Sequence, residues 1–310
     1  MNLRNTFPVL SYYVGKKLQI LSTYFYRKNP RKWTQKKYYQ KFGIRLNLDN
    51  PNSFYEKMNY WKLFSYYKEQ DLLTDKIEVK NILSVNGFDD LCTKTYFSCD
   101  SIKEAKKWFY INCKTIKKMV IKTSHSCGDV FIYDNGLITK KNGRKIKNIS
   151  AVFRMLKIGL KFNHYYSRFE QNYKNLEHRI FFEEYIEYDN ETIEYEIMCN
   201  YGKIRFAQIV FNRQNNEGTK FLVDKDFTFL SNVRGNLTNN QTTSIQTPRD
   251  INLITIVIEK LVSKFPFCRV DFVQTKNRTY FCEFTFVKSG GIDAYIPLQL
   301  NDYLGSLFKL

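Results

Sequence analysis

The sequence has little of what a metal cluster or a disulfide framework needs. Its three histidines, His125, His164 and His178, are too far apart along the chain to suggest a histidine metal site. The seven cysteines are odd in number and contain no C-x-x-C pair, so neither a disulfide framework nor a zinc knuckle is supported. We therefore expect reduced cysteines that mostly pack as small core residues, and a cytoplasmic location.

Long uncharged apolar runs are also missing. The segment FPVLSYYVGKKLQILSTYFY is interrupted by Lys16 and Lys17, so it has neither a signal cleavage site nor the roughly 20 uncharged residues that span a bilayer. Before Asp49 there are no acidic residues, and aromatic residues alternate with Lys and Arg. This pattern predicts either a solvated basic face on packed helices or a surface that docks to an anionic membrane or an acidic glycan.

What the chain does have is enough apolar material for a large core. Its 310 residues are 43% hydrophobic and 17% aromatic, which indicates a folded protein of two or three packed lobes. The formal net charge of +19 favours an anionic partner, such as a membrane surface, nucleotide phosphates or an acidic polymer. Nucleic acid is the less expected partner, because no recognised binding motif accompanies the charge.

The hydrophobic patterns predict an α+β fold with three regions. Residues 1–115 are mainly helical, and a capping box at Ser53 and Glu56 marks the start of one helix. Residues 116–193 contain the strand-like runs KKMVIKTSH and DVFIYDNGLITK, then a helix and a further strand.

Residues 194–310 begin with two apolar runs joined at Asn200-Tyr201-Gly202, which is typical of a hairpin. The polar stretch SNVRGNLTNNQTTSIQTPRD must be rich in loops. Thr247 and Pro248 predict the N-cap and first turn of the next helix.

The most informative stretch is FPFCRVDFVQTKNRTYFCEFTF, which indicates two strands and a turn. A three-residue turn over 276–278 would place Asp271 opposite Glu283, and Arg269 opposite Thr285. Two facing carboxylates repel each other unless a cation lies between them, so the pair predicts a magnesium site. The alternative is an exposed hairpin face on which Arg269 bridges the two acids.

Two other segments suit a nucleotide. Lys122 ends a strand just before a polar turn with Gly128, where an ammonium group and backbone N–H groups could hold phosphates. His125 and Asp129 lie in the same turn, and either contact substrate or make local hydrogen bonds. The segment RIFFEEYIEYD predicts a strand followed by an extended connector whose backbone could bind an adenine edge.

The order of these segments resembles the TupA-like ATP-grasp family. The segments are NPNSFYEKMNYWKL, VIKTSHSCGD, RIFFEEYIE, EYEIMCNYGKIRFAQIVFNR, FPFCRVDF and YFCEFTFVKSGG. The resemblance runs from about residue 50 to the C-terminus and implies an ATP-grasp fold, with a first subdomain over 116–193 and a second, metal-binding one over 194–310. Such enzymes hold ATP between two antiparallel sheets and activate a carboxylate as an acylphosphate, which an amine then attacks.

The resemblance also implies site residues. ATP would be held by Lys122, Ser126 and Gly128 at its phosphates and by the connector at its adenine, namely Glu183, Glu184, Tyr185 and Ile186. Mg²⁺ would be bound by Asp271, Glu283 and Thr285, while Arg269 and Arg213 would be catalytic. Substrate contacts would come from His125, Ser289, Gly290 and Gly291.

Three departures from the family pattern affect this assignment. Thr285 stands where ATP-grasp sites commonly have Asn, although Thr is usual for the TupA-like branch. Glu194-Tyr195-Glu196 stands where relatives often have Asp-Tyr-Lys, which puts a phosphate or substrate contact of that Lys in question, and Arg205 or Arg213 could compensate for it. The phosphate turn TSHSCGD is poor in glycine, which leaves weak ATP affinity or a non-catalytic descendant as alternatives.

The expected function is an ATP- and Mg²⁺-dependent carboxylate–amine ligase. The resemblance implies a carboxylated glycan or precursor and an amine or amino acid as substrates, in bacterial surface-polysaccharide assembly of the capsule or teichuronopeptide kind. The basic N-terminal region adds possible peripheral contact with the inner membrane face. The rival classes are a glycosyltransferase, for which Asp224-Lys225-Asp226 is a chance-level metal motif, a hydroxyl kinase, and a non-catalytic glycan- or nucleotide-binding protein.

Overall fold

The structure is a computed structural model that describes residues 8–214, 217–232, 246–294 and 296–310. The side chains of 212–214, 217 and 232 lie outside this description, and so does that of the expected catalytic residue Arg213. The described part has the expected α+β fold, with two antiparallel sheets and helices packed against them.

The N-terminal region is mainly helical, as the sequence predicts, although Thr95–Cys99, within the range 1–115, form a strand of the first sheet. Its helices are α1 (Pro8–Tyr24), α2 (Pro30–Phe42), α3 (Phe54–Phe64), α4 (Glu69–Thr74) and α5 (Glu78–Val85). The capping box of α3 is confirmed, because Ser53 accepts from the Glu56 N–H while the Glu56 carboxylate accepts from the Ser53 N–H. None of the helices in the described ranges combines the length and the apolar character needed to cross a membrane.

The first sheet has five strands in the order β1-β5-β2-β3-β4. Its elements are β1 (Thr95–Cys99), α6 (Ile102–Asn112), β2 (Lys118–Thr123), β3 (Val130–Asp134), β4 (Leu137–Lys140), α7 (Ile149–Leu160), α8 (Tyr165–Arg168) and β5 (Ile180–Glu183). Burial alternates along β2, where Met119 and Ile121 join the core formed with α6 and α7. The opposite face of β2 therefore carries Lys118, Val120 and Lys122.

The second sheet has six strands in the order β11-β10-β6-β7-β8-β9. Its elements are β6 (Ile193–Asn200), β7 (Lys203–Gln214), β8 (Glu217–Asp224), β9 (Phe229–Asn232), α9 (Ile251–Val262), β10 (Cys268–Gln274) and β11 (Thr279–Thr285), followed by a 3₁₀ turn (Lys288–Gly291) and α10 (Asn301–Ser306). The expected hairpin joins β6 and β7, where Tyr201 and Gly202 both have positive φ. A Cβ at Gly202 would lie 2.9 Å from the Ser263 Cα, so α9 also needs glycine there.

One helix start was predicted wrongly. Helix α9 begins at Ile251 with Asp250 at its N-cap position, three residues after Thr247. The preceding residues are held by the β10–β11 hairpin instead, because Thr279 donates to Asp250 at 2.5 Å and the Arg249 N–H donates to Gln274 at 2.7 Å. Tertiary contacts thus outweigh the local capping signal.

Candidate active site

A cavity of about 1170 Å³ lies between the two sheets. Alternate residues of β2 line one wall, namely Lys118, Val120 and Lys122, and the connector 183–186 continues that wall. The facing wall includes Arg269, Asp271 and Glu283 from the second sheet. The two antiparallel sheets thereby bring Lys122, the connector 183–186 and the carboxylates of Asp271 and Glu283 to one cavity.

The facing wall carries a row of acidic side chains on three neighbouring strands. Asp271 on β10 is paired with Glu283 on β11 and with Glu196 on β6, and Glu196 is in turn paired with Gln208 on β7. Side chains paired across antiparallel strands point to the same face. Three carboxylates therefore stand side by side.

Arg269 neutralises part of this row. Its Nε lies 2.6 Å from Asp271 Oδ1, and its Nη2 lies 2.5 Å from Asp271 Oδ2 and 3.1 Å from Glu283 Oε1. Its Nη1 lies 3.7 Å from Glu196 Oε2. The guanidinium thus bridges the acids, as expected for the alternative in which Arg269 links them on an exposed hairpin face. Arg269 is only 7% exposed, however, so it does not lie on an exposed face.

The electrostatics of the row differ from one carboxyl group to the next. Burial, together with the neighbouring Glu196 and Glu283, raises the pKa of Asp271 to about 7 against the lowering effect of Arg269. For Glu283, burial also raises the pKa, but Arg269 and the surrounding lysines outweigh it and the net pKa is lowered. Asp271 is therefore the member of the row that most needs a further cation.

The predicted register is confirmed at the site, but its stated cause is wrong. Asp271 pairs with Glu283 and Arg269 pairs with Thr285. The turn, however, spans the four residues 275–278, because the Thr275 N–H donates to the Arg278 carbonyl at 2.9 Å. A β-bulge after Asp271 shifts the register by one residue and restores the expected pairing.

The donor set fits a magnesium ion that shares its coordination with phosphates. Among the described residues, no group of three or more His, Cys, Asp or Glu side chains could hold a metal by itself. Asp271 and Glu283 supply two carboxylates, and the Thr285 hydroxyl lies 3.4 Å from Glu283 Oε1. Protein sites for Mg²⁺ typically offer one or two carboxylates and leave the rest to substrate phosphates and water.

Lys288 is a cation that lies directly beside Glu196, the position at which relatives often have Lys. Its ammonium group is paired with Glu196, and burial lowers the pKa of Lys288 to about 8 although Glu196 raises it. Arg205, the candidate considered from the sequence, donates to Asn200 at 3.3 Å and is not among the described residues that line the cavity. Sequence reasoning missed Lys288, whose only signal was its position directly before Ser289.

On the first wall, Lys122 is paired with Glu183 at the end of β5. Lys80 of α5 lies 2.8 Å from the same carboxylate, and Thr93 donates to it at 3.1 Å. Burial raises the pKa of Glu183, but the two lysines outweigh it and the net pKa is lowered. Beyond Glu183 the connector runs along the cavity without belonging to a strand, as the sequence predicts, although Lys80 was not foreseen.

The turn between β2 and β3 is held from several directions. Asp129 accepts hydrogen bonds from Ser126 at 2.5 Å and from Tyr12 at 2.5 Å, and it pairs with Lys16 at 3.0 Å. Lys76 donates to the Ser126 carbonyl at 2.9 Å. Helix α1, which was not part of the expected site, therefore fixes the turn at Asp129.

Three predicted site residues in this turn lie beside the cavity rather than on its wall. His125 is buried, stacks on His178 with ring centroids 3.7 Å apart, and contacts the Gly159 carbonyl at 3.1 Å. Ser126 is buried as well, and Gly128 has a φ of +89°. None of the three is among the described residues that line the cavity.

The turn after β11 has a left-handed backbone at three successive residues, Ser289, Gly290 and Gly291. Its carbonyls are bound from the helical side: Asn59 donates to Gly291 at 2.6 Å, Lys62 donates to Gly290 at 2.7 Å, and Arg168 donates to Ser289. These three contacts fix the carbonyls of the turn against α3 and α8.

The Asp224-Lys225-Asp226 motif lies outside this site, between β8 and β9. Asp224 accepts from the backbone N–H groups of Asp226 at 2.9 Å and Thr228 at 2.8 Å, and Lys225 pairs with Asp226 at 2.6 Å. The motif is a locally hydrogen-bonded turn, and none of its residues is among those described as lining the cavity.

Comparison with known proteins gives one family match. A family model described as TupA-like ATPgrasp matches residues 56–309. A search of curated proteins found no match.

Solved structures resemble the chain only distantly. D-cycloserine synthetase DcsG is 12% identical with a TM-score of 0.40, covering 76% of this chain and 69% of that one. D-alanine–D-alanine ligase from Bacillus anthracis is 14% identical with a TM-score of 0.41, covering 76% and 64%. ATP-grasp ligase PsnB, complexed with a phosphomimetic variant of its minimal precursor, Mg and ADP, is 8% identical with a TM-score of 0.38, covering 77% and 60%. The chain thus spans 60% to 69% of the length of these proteins.

Proposed function

Because the chain belongs to the TupA-like ATP-grasp family, we propose that it is an ATP-dependent ligase that activates a carboxylate as an acylphosphate and joins it to an amine. The observation that carries the proposal is the row of Glu283, Asp271 and Glu196 with Arg269 on one wall of the cavity, opposite Lys122 on the other. Such a space suits a triphosphate, because it offers cations for the phosphates and carboxylates for the metal.

The residues divide between two ends of the nucleotide. Lys122 on the cavity wall would hold the phosphates, and the turn with Ser126 and Gly128, which lies beside the cavity, would assist it from there. The connector 183–186 would bind adenine mainly through its backbone. Glu183 orients Lys122 through their ion pair until phosphate replaces it as the partner. Lys80 then retains the Glu183 carboxylate, so that no buried charge is left without a partner.

At the reacting end, Asp271 and Glu283 would hold Mg²⁺, with Thr285 contacting the ion or one of its waters. A bound Mg²⁺ neutralises charge on the phosphate oxygens. Arg269 would stabilise the phosphoryl group in transfer, since its guanidinium already lies among these carboxylates. Arg213 stays a second catalytic candidate on the basis of the sequence alone.

The reaction has two steps. A carboxylate oxygen of the acid attacks the γ-phosphorus, the bond from that phosphorus to the bridging oxygen breaks, and ADP leaves. The amine then attacks the acyl carbon, phosphate departs with the electron pair of the carbon–oxygen bond, and the nitrogen loses a proton to solvent. The N–H groups of Ser289, Gly290 and Gly291 would bind the carboxylate and then the acylphosphate, and His125 would act on the substrate only through the turn that it packs in.

For the substrate we propose a carboxylated glycan or glycan precursor, joined to an amino acid or another amine during bacterial surface-polysaccharide synthesis. Support comes from the family, named for teichuronopeptide synthesis, and from further lysines that line the cavity and suit an anionic substrate: Lys41, Lys76, Lys140, Lys141 and Lys220. The proposed location is the cytoplasm, with peripheral contact at the inner membrane face.

The test is Mg²⁺-dependent ADP release from ATP with pooled amino acids and uronic-acid glycans, each present or omitted. We expect release that needs both substrates and is lost in an Asp271→Asn/Glu283→Gln variant. The matched control is Asp226→Asn/Glu191→Gln, which changes two exposed carboxylates to amides and should keep full activity. Absence of ATP binding by the folded wild type, or equal activity of the two variants, would contradict the proposal.

A further inference from the structure

Helix α1 has two apolar sides, and only one of them is packed. On the packed side, Val9 and Tyr12 contact the core of the first sheet, and the buried Thr23 contacts α8. The other side is exposed to solvent along the whole helix. Its large apolar residues are Leu10, Val14, Leu18 and Leu21, followed by Phe25 just after the helix.

These five residues form one continuous line, which we call the apolar stripe. The first four are spaced by four, four and three positions, which places them on the same side of α1. Phe25 follows four positions later, just past the end of the helix. Leu18 is 59% exposed and Phe25 is 88% exposed. An exposed apolar line of this length on a charged protein marks an interaction surface, because single exposed apolar residues are normal but contiguous ones are not.

The surroundings of the apolar stripe are basic. Lys17 is exposed within it, and Arg27, Lys28 and Lys32 follow it as exposed residues. No acidic residue occurs before Asp49. Lys16 differs from these residues, since it is buried and paired with Asp129 on the packed side.

We propose that α1 docks on an anionic lipid bilayer, with the apolar stripe at the boundary of headgroups and acyl chains. Lysine and arginine side chains beside an apolar helix face reach lipid phosphates while the face itself leaves water. Anionic surface charge complements Lys17, Arg27 and Lys28. A second copy of the chain fits less well, because pairing the stripes would bring each set of cations against its equivalent.

Docking in this orientation also places the cavity close to the membrane. The side of α1 opposite the apolar stripe carries Tyr12 and Lys16, which bind Asp129 in the turn between β2 and β3. One helix diameter, about 10 Å, then separates that turn from the bilayer. The proposal needs no ligase activity and can be tested without substrates.

The experiment is flotation of the purified full chain with two kinds of vesicle, at low and at high salt. One kind is phosphatidylcholine alone, and in the other one third of the lipid is phosphatidylglycerol. We expect binding to the anionic vesicles that weakens at high salt. A Leu18→Gln/Leu21→Gln variant should bind at least tenfold more weakly. A Val85→Gln/Ile111→Gln variant, which removes two apolar residues elsewhere that are at least as exposed, should bind like the wild type.

A second pair of variants tests the charge. Lys28→Gln/Lys32→Gln should weaken binding to the anionic vesicles severalfold, whereas Lys103→Gln/Lys107→Gln, on exposed positions of α6, should not. Circular dichroism of each variant shows whether it is folded. The proposal is overturned by absent binding of the wild type, by equal binding of both apolar variants, by equal binding to uncharged vesicles, or by a dimer that needs Leu18 and Leu21 in place of vesicle binding.

Discussion

Asp271 is paired directly with Glu196 across neighbouring antiparallel strands, although both side chains are carboxylates. Like charges placed opposite each other destabilise a sheet. Two buried cations offset the repulsion here: Arg269, bonded to Asp271, and Lys288, paired with Glu196. The wall of the cavity is thus a network in which Arg269 contacts three carboxylates and Lys288 adds a second cation at Glu196.

Replacing Arg269 should show how much the network depends on one guanidinium. We expect Arg269→Lys to lower the rate of ADP release by about 100-fold or more, because an ammonium group cannot reproduce the paired contacts to Asp271 and Glu283. The free energy of unfolding should also fall, because the carboxylates of Asp271 and Glu283 lose part of their interaction with a cation. Steady-state kinetics and urea denaturation measure the two effects.

The matched control for this change is Arg249→Lys. Arg249 donates to backbone carbonyls of the β10–β11 hairpin, at Thr275 and Lys276, and is half exposed and outside the cavity. We expect its activity to stay within twofold of the wild type. Equal losses in the two variants would mean that the effect of Arg269 is structural.

A second prediction concerns the left-handed turn after β11. An alanine Cβ at position 291 would lie 2.7 Å from Asn59 Oδ1, and Gly291 has a φ of +72°. Gly136 has a similar φ of +91° but nothing within 4 Å of the same point. Gly136→Ala should therefore cost only the backbone strain, about 1 to 2 kcal/mol, while Gly291→Ala should cost more and raise the KM for the acid substrate.

Denaturant unfolding and substrate titrations of both alanine variants check this. If the two variants lose the same stability and keep the same KM, the close approach of Asn59 has no effect on the turn. A larger loss in Gly291→Ala with unchanged KM would keep the packing argument and remove the turn from the acid-binding site.

Local patterns were enough to predict the elements that carry the site. The capping box at Ser53 and the strand that carries Lys122 follow from spacing and alternation within short segments. The pairing of Asp271 with Glu283 was predicted as well. The pairing was nevertheless predicted from a three-residue turn, and a four-residue turn with a compensating bulge produces it. A bulge leaves the hydrophobic alternation on either side intact, so a single sequence does not reveal it.

The partners of the site residues could not be predicted, because they come from distant parts of the chain. Lys288 pairs with Glu196 across 92 positions, and Tyr12 reaches Asp129 across 117. His125 looked accessible because its turn is polar, but the packing of His178 and Gly159 buries it. Only the arrangement of the two sheets and α1 decides such contacts.

A third prediction concerns pH. Burial raises the pKa of Glu170 to about 7, although Arg168 and Lys62 lower it. Between the usual pKa of a glutamate and pH 7, Glu170 therefore carries a proton more often in the folded protein than in the unfolded chain. Because the folded state binds more protons, the contribution of Glu170 to stability falls as pH rises. Glu170→Gln removes the titration, and the loss of stability between pH 5 and pH 8 should be smaller in the variant than in the wild type.

Urea midpoints at the two pH values measure this difference. Glu177→Gln serves as the control, because Glu177 is exposed and should leave the pH dependence of the wild type unchanged. An identical pH dependence in all three proteins would show that Glu170 is ionised in the folded state throughout this range.

The last prediction concerns the hydrogen bond from Tyr12 of α1 to Asp129 in the turn between β2 and β3. Tyr12→Phe removes one hydrogen bond to the buried Asp129 and leaves the ring in place, so Lys16 and Ser126 must hold the carboxylate alone. A hydrogen bond to a charged group contributes about 1.5 to 3 kcal/mol. If part of that energy orders the turn for phosphate, the Kd for ADP measured by calorimetry should rise about threefold to tenfold. Tyr13→Phe, on the exposed side of the same helix, should leave the Kd unchanged, and an unchanged Kd in both variants would mean that α1 supports the fold without contributing to nucleotide binding.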